Sequence, residues 1–297
     1  MGDLAEHLFA LPPTRVLYTD FDGTLLGPGG SLLTGPDGRP SARAAEALVA
    51  AEAAGLEIVP VSGRSRVTLQ HDVRLLGLRG CIAEAGGVIV RDGEIRFEWG
   101  DAPQGLAENP HDALEAAGAL AALLERFSGR LRLYHPYCDG REGGHLLHGV
   151  VDVAEANAVL AEVGLGWAYL VDNGRAGGWP GRSVHAYHLL PRGVGKERAV
   201  ADDLAWRGVD PGASAAIGDS HADATMASVV GTYLQVANGH APVGDGNRFG
   251  VSGAMGHGFA EVVEALLARR AAAGDGSTLA DAAQPGRVSS VGRAPLL

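Results

Sequence analysis

Residues 16–26 read VLYTDFDGTLL, and this stretch decides the fold. An apolar run ends in two carboxylates two positions apart, Asp20 and Asp22, followed by Gly23 and Thr24. Residues i and i+2 of an extended segment point to the same side, so both carboxylates can address one point. In open α/β sheets that point, past the carboxyl end of a strand, is where ligands bind. Two carboxylates this close raise each other's pKa unless a cation lies between them. A hard divalent cation with oxygen ligands, Mg²⁺ above all, suits such a pair. A calcium loop is the competing reading, and it requires Gly at its sixth position and Glu at its twelfth. Counted from Asp20, those positions hold Leu25 and Ser31.

The rest of the chain alternates short apolar runs with Ala-rich helical segments, the pattern of an α/β fold with a parallel sheet. Residues 14–20, 56–64, 80–90, 213–220 and 232–239 read as strands, and 88–99 as a hairpin turning at Asp92-Gly93. Residues 40–55 read as a helix capped by Ser41, and 193–208 and 259–273 as two more. Residues 109–129 read as one helix, with Asn109 as cap and Pro110 at its first position. From 130 to 190 the order is β-β-α-β-β, enough for a small open-faced sheet with helices on one side. The expected organisation is a core formed by 1–99 and 188–272, an inserted α+β module at 100–187, and a disordered tail over 273–297.

Composition narrows the function. The 297 residues carry 24 Lys and Arg against 35 Asp and Glu, a net charge of -11. An acidic surface repels nucleic-acid backbones and anionic membranes, so neither is an expected partner. A small anionic substrate remains compatible, because a local cationic site overrules the distant field. Two cysteines, Cys81 and Cys138, fit a reducing, cytoplasmic setting. The first fifteen residues show no signal-peptide pattern, and no apolar stretch is long enough to span a bilayer. Oligomeric state is not legible.

Three further strand or helix ends carry polar groups suited to the same site. VSGRS supplies Ser62 and Arg64, GVGKE supplies Lys196, and GDSHAD supplies Asp219 and Asp223. Ser62 and Lys196 are hydrogen-bond donors of the kind a phosphoryl group requires. In chain order these pieces resemble the four motifs of the haloacid dehalogenase (HAD) superfamily of phosphohydrolases. The insertion resembles the C2B cap of its Cof-like branch, which includes sucrose-phosphate, mannosyl-phosphoglycerate and trehalose-phosphate phosphatases.

The resemblance implies a Rossmann-like core with a C2B-type cap, and hydrolysis of a sugar phosphate or phosphorylated glycoside through an aspartyl-phosphate. Asp20 would be the nucleophile and Asp22 the general acid and base. Mg²⁺ would be held by Asp20, Asp219 and the backbone carbonyl of Asp22. Ser62, Lys196, Gly23 and Thr24 would serve the phosphoryl group. Asp223 and Asn238 are candidates for supporting or metal contacts, and Arg64, Tyr137, Asp139, Arg141, His145 and Arg182 for substrate contacts. His221 and Asn238 are candidates to replace phosphate contacts, since Ala222 and Ala85 stand where the Cof-like pattern has Asn. The same residues would serve a phosphomutase, and a non-catalytic sugar-phosphate binder could keep the fold. A zinc site among His111, His135, His145, His148 and His185 is disfavoured by irregular spacing, with His145 and His148 on opposite strand faces.

Overall fold

In the computed structural model, residues 2–181 and 183–274 are described. The main sheet has eight strands: β1 (Val16–Asp20), β2 (Glu57–Val61), β3 (Gly80–Ala83), β4 (Val88–Arg91), β5 (Glu94–Phe97), and, after the insertion, β10 (Ser214–Gly218), β11 (Thr232–Gln235) and β12 (Arg248–Gly250). The insertion contributes β6 (Leu131–Leu133), β7 (His145–Gly149), β8 (Ala168–Ala176) and β9 (Val184–Pro191). Helices are α1 (Gly2–Ala10), α2 (Arg43–Ala53), α3 (Arg66–Leu75), α4 (Pro110–Ala116), α5 (Ala119–Arg126), α6 (Val153–Glu162), α7 (Lys196–Arg207), α8 (His221–Ala224) and α9 (Met255–Ala272).

The large sheet runs β12-β11-β10-β1-β2-β3-β4-β5, and only the last two strands are antiparallel to their neighbours. Successive residues of its strands feed opposite layers. Leu17, Ile58, Ala215 and Ile217 pack with Leu8, Leu48, Leu69 and Phe259 of the helices on one face. Val16, Tyr18, Val59, Val61 and Ala216 pack with Ala199, Val200 and Leu204 of α7 on the other. Coverage on both faces explains why these strands are apolar throughout rather than alternating. Burying each of these larger side chains contributes roughly 1.5–3 kcal/mol.

β1 sits where strand order reverses, with β2 on one side and β10 on the other. Asp20 pairs with Val61, and Thr19 with Ile217, so the segments bearing Asp20, Ser62 and Asp219 leave the sheet at one edge.

The smaller sheet, order β6-β7-β9-β8, is antiparallel throughout. One face packs under α4, α5 and α6 through Leu114, Leu123, Leu147, Leu160 and Leu189. The opposite face carries Leu146, Ala186 and His188 toward the carboxyl edge of the large sheet. The helix expected over 109–129 is two helices, because Gly118 takes a left-handed conformation (φ 83°) between them. Asn109 does cap the first, accepting from Asp112 N at 2.9 Å. Ser41 does not cap α2, which starts one residue later; its hydroxyl lies 2.8 Å from His257 Nε2 instead. The sequence reading missed α1, α3 and the three-residue β12. Among the described residues no helix is long and apolar enough to cross a membrane.

The two sheets are joined at a backbone-tight seam. A Cβ on Gly143 of the cap would meet Gly87 Cα of the core at 2.8 Å. Beside it the fully buried Glu84 accepts from Arg66 N at 3.1 Å, Glu142 N at 3.2 Å and Gly143 N at 2.9 Å. Arg66 also forms an ion pair with Glu142. A core carboxylate thus terminates a cap loop. Glu84→Ala strands three N–H groups, that of Gly143 fully buried, and is expected to lower the unfolding free energy by about 3 kcal/mol. Denaturant titration checks this; Glu84→Gln, which keeps one carbonyl acceptor, should cost less.

Candidate active site

The carboxyl edge of β1 holds a buried cluster of ionised groups. Lys196, the first residue of α7, donates to Asp20 Oδ1 at 2.8 Å and to Asp223 Oδ1 at 2.5 Å. Burial opposes the lysine's charge, but Asp20 and Asp223 outweigh it and raise its pKa above the usual value. Asp223 is N3 of a capping box: Ser220 Oγ accepts from Asp223 N, and Asp223 Oδ2 accepts from Ser220 N at 2.9 Å. Its carboxylate also accepts from Asp219 N at 3.1 Å. Burial pushes Asp223 up, yet Lys196 and Ser220 bring it below the usual carboxylate range. Asp223 therefore both starts α8 and orients Lys196.

Asp20 and Asp219 are less well compensated. Burial, then the Asp223 charge, pushes Asp20 up to about 7 against the pull of Lys196. Burial pushes Asp219 up to about 6, with Asp223 adding to it. Carboxylate oxygens of Asp20, Asp219 and Asp223 lie within 4.8 Å of one another. Three carboxylates and one ammonium leave a deficit of positive charge, and the donors are hard oxygens. The set fits a hard divalent cation such as Mg²⁺. Asp223 already accepts from Lys196, Asp219 N, Ser220 N and Ser220 Oγ, so Asp20 and Asp219 are the less engaged carboxylates and would be the ones to hold it.

Neighbouring groups shape this centre. Gly23 has φ 90°, and a Cβ there would meet Asp219 Oδ2 at 2.6 Å, so only glycine lets the β1 loop pass the carboxylate. Thr24 is fully buried and outside the cavity. Asn238 donates to Gly23 O at 2.9 Å and accepts from Met255 N at 2.8 Å, bracing the same loop. Ser62 lines the cavity, and its Oγ accepts from Arg64 N at 3.2 Å. Arg64 grips Asp22 through two hydrogen bonds, of 2.8 and 2.6 Å, and pairs with Asp72 at 2.7 Å.

Above this edge lies a cavity of about 490 Å³ between core and cap. The core side supplies Asp20, Asp22, Ser62, Arg64, Lys196 and Asp219; the cap side supplies Tyr134, Tyr137, Arg141, Asn173, Arg175 and His188. Of the cap residues singled out from sequence, Tyr137 and Arg141 reach the cavity. Asp139 pairs with His135 at 2.9 Å, and His145 faces His111 at a ring separation of 4.0 Å, both outside it. His221 is exposed on α8 and also outside. Arg182 lies outside the described residues. His111, Glu115 and His145 come together, as do His135, Cys138 and Asp139, which the irregular spacing had concealed. His188 was missed, although a signal existed: in HAYHLL it alternates with Ala186 on one strand face.

No protein-family model matches the chain. It is 28% identical over 211 residues to a phosphoglycolate phosphatase of Methanothrix thermoacetophila, covering 71% of this chain and 83% of that one. Among solved structures it resembles a phosphatase of the HAD enzyme superfamily from Bacteroides thetaiotaomicron (TM-score 0.58, 18% identity, 86% and 95% of the two chains covered). It also resembles the sucrose-phosphatase of Synechocystis, solved with sucrose and phosphate (TM-score 0.60, 16% identity, 86% and 98% covered). The fold is that of the HAD-like hydrolases, a parallel core bearing a cap. Its motif set resembles that of the HAD-type phosphatases, and the curated relatives it matches are named as phosphatases.

The buried cluster itself is testable. Lys196→Met leaves Asp20 and Asp223 facing each other without a cation, and is expected to cost about 3–5 kcal/mol of stability. The two carboxyl pKa values would then lie above their unfolded values, so the deficit grows as pH rises from 5 to 8. Thermal denaturation of wild type and variant across that range reads it.

Proposed function

We propose that this protein hydrolyses a phosphate monoester in two phosphoryl transfers through Asp20. The observation that carries the reading is the under-neutralised Asp20–Asp219–Asp223 cluster around Lys196, opening on a cavity at the switch point of the sheet. Lys196 occupies Asp20 Oδ1, which leaves the other oxygen to attack phosphorus. The bond from Asp20 forms as the bond to the leaving alkoxide breaks, and Asp22 supplies the alkoxide's proton. Water then attacks the aspartyl-phosphate, Asp22 takes its proton, and Asp20 is regenerated. Arg64 holds both Asp22 oxygens, so the acid step requires that pair to open. Ser62 and Lys196 donate to the phosphoryl oxygens, with Gly23 keeping the backbone close. Mg²⁺, held by Asp20, Asp219 and the Asp22 carbonyl, would neutralise charge developing on the phosphoryl group.

The cap, formed around the smaller sheet, closes the cavity and selects the leaving group. A volume of about 490 Å³ admits a sugar phosphate or a phosphorylated glycoside, the class expected from the motifs. A phosphorylated hydroxy acid is the second reading, favoured by relatives named phosphoglycolate phosphatase. Cys81 and Cys138 are unpaired and buried, in keeping with a reducing, cytoplasmic setting.

Phosphate release from phosphorylated sugars and hydroxy acids is expected with Mg²⁺ and lost in EDTA. Asp20→Asn should abolish it, and Asp22→Asn should slow it by about 10²–10⁴-fold. Transfer of the phosphoryl group to a second hydroxyl, rather than to water, would indicate a mutase. Binding without turnover would indicate a non-catalytic protein.

Proton competition gives a separate test. Asp20 at about 7 and Asp219 at about 6 take up protons below those values, and a metal needs them ionised. Calorimetric Mg²⁺ affinity is therefore expected to fall steadily from pH 7.5 to 5.5.

A further inference from the structure

The cavity is lopsided in its chemistry. Among the described residues its carboxylates are Asp20, Asp22 and Asp219, and they lie at the core end. The cap wall presents Arg141, Arg175, Asn173 and His188, groups that carry N–H donors, together with two tyrosines. Sugar hydroxyls both donate and accept; a wall of cations and N–H donors, without a carboxylate, is complementary to an anion.

Arg141 is the centre of that wall. Its side chain is 2% exposed, an unusual setting for a guanidinium. Nε donates to Tyr137 O at 3.0 Å and Nη2 to Gly63 O at 2.6 Å. Nη1 is buried and, among the described residues, has no hydrogen-bond partner. The nearest carboxylate, Glu84, stands 3.9 Å from Nη1, and its oxygens are taken by the backbone N–H groups of Arg66, Glu142 and Gly143. Arg141 and Glu84 thus form a buried ion pair, and Nη1 is left without a hydrogen bond of its own. His188 repeats the pattern: it is 1% exposed, its Nε2 has no hydrogen-bond partner among the described residues, and burial lowers its pKa well below the usual value, leaving it neutral.

Both groups border Gly63. Arg141 bonds its carbonyl, and a Cβ on Gly63 would meet His188 Nε2 at 3.1 Å and Asn173 Nδ2 at 3.6 Å. Gly63 directly follows Ser62, one Cα step of about 3.8 Å. Whatever anion these donors take must lie close to the group that Ser62 binds.

We propose that Arg141 and His188 form an anion subsite that takes a carboxylate of the substrate a few bonds from its phosphorus, which makes the substrate a phosphorylated hydroxy acid. This rests on the phosphatase reading above and narrows it. The rest of the cavity leaves room for a further substituent on that acid, but the acid itself is the recognised element.

The test compares 2-phosphoglycolate with ethyl phosphate, which has the same two-carbon length without the carboxylate, and with glucose 6-phosphate. Wild type should show kcat/KM for 2-phosphoglycolate at least about 30-fold above either, the span of a charge-assisted hydrogen-bond pair. In Arg141→Met that ratio should collapse toward one, with the loss falling in KM, and His188→Ala should reduce it part-way. Equal loss on all substrates in Arg141→Met would assign Arg141 to the phosphoryl group or to structure, and would overturn the subsite. A wild-type ratio near one would overturn it without any variant, even if Arg141→Met fails to fold. No release from any substrate, p-nitrophenyl phosphate included, would instead sink the hydrolase reading and the subsite with it.

Discussion

The constraint on which the rest of the structure depends is the burial of Lys196 between Asp20 and Asp223. An ammonium and two carboxylates removed from water are each costly alone, and the arrangement holds only while all three are in place. They come from three distant parts of the chain: the end of β1, the start of α7 and the first turn of α8. Their meeting fixes where β1 and β10 end relative to α7. It also sets the ordering of charge. Asp223 is the satisfied carboxylate, while Asp20 and Asp219 are left under-neutralised.

A second constraint runs between core and cap. Glu84 sits in the core, yet two of its three backbone partners belong to the cap loop. Gly87 and Gly143 let the two backbones touch there, which no side chain would permit. The same loop carries Arg141 down to Gly63 O. One seam therefore closes the cavity and delivers a guanidinium to its wall.

Much of this was legible in sequence, for a physical reason. The strand-end groups depend only on local spacing: Asp20 and Asp22 on strand period, Ser62 after an apolar run, Lys196 at a helix start, Asp219 and Asp223 within one turn. A parallel sheet brings all strand ends to one edge without further instruction. The large sheet followed from apolar runs buried on both faces, and the hairpin from Asp92 and Gly93, both with positive φ. The break at Gly118 was missed because a glycine inside a helical pattern is tolerated as often as it ends one. β12 is too short to show a period, and α3 was masked by charged residues on its exposed face.

Cap residues were the harder part, and the failures share a cause. Tyr137, Asp139, Arg141 and His145 lie within nine positions, and nothing local separates the two that reach the cavity from the two that do not. The separation is made by docking: Glu84 anchors residues 142 and 143, which turns Arg141 toward Gly63, while His145 begins the strand and is directed to His111 under the helices. His188 reaches the cavity because β9 alternates and its even-numbered side chains, Ala186 and His188, face the core. The carboxylate end of the cavity is thus written in motifs of a few residues. The cap end is written in the register of a small antiparallel sheet and in one buried glutamate of the other sheet's segment, which is why its wall of N–H donors emerges only from the assembled fold.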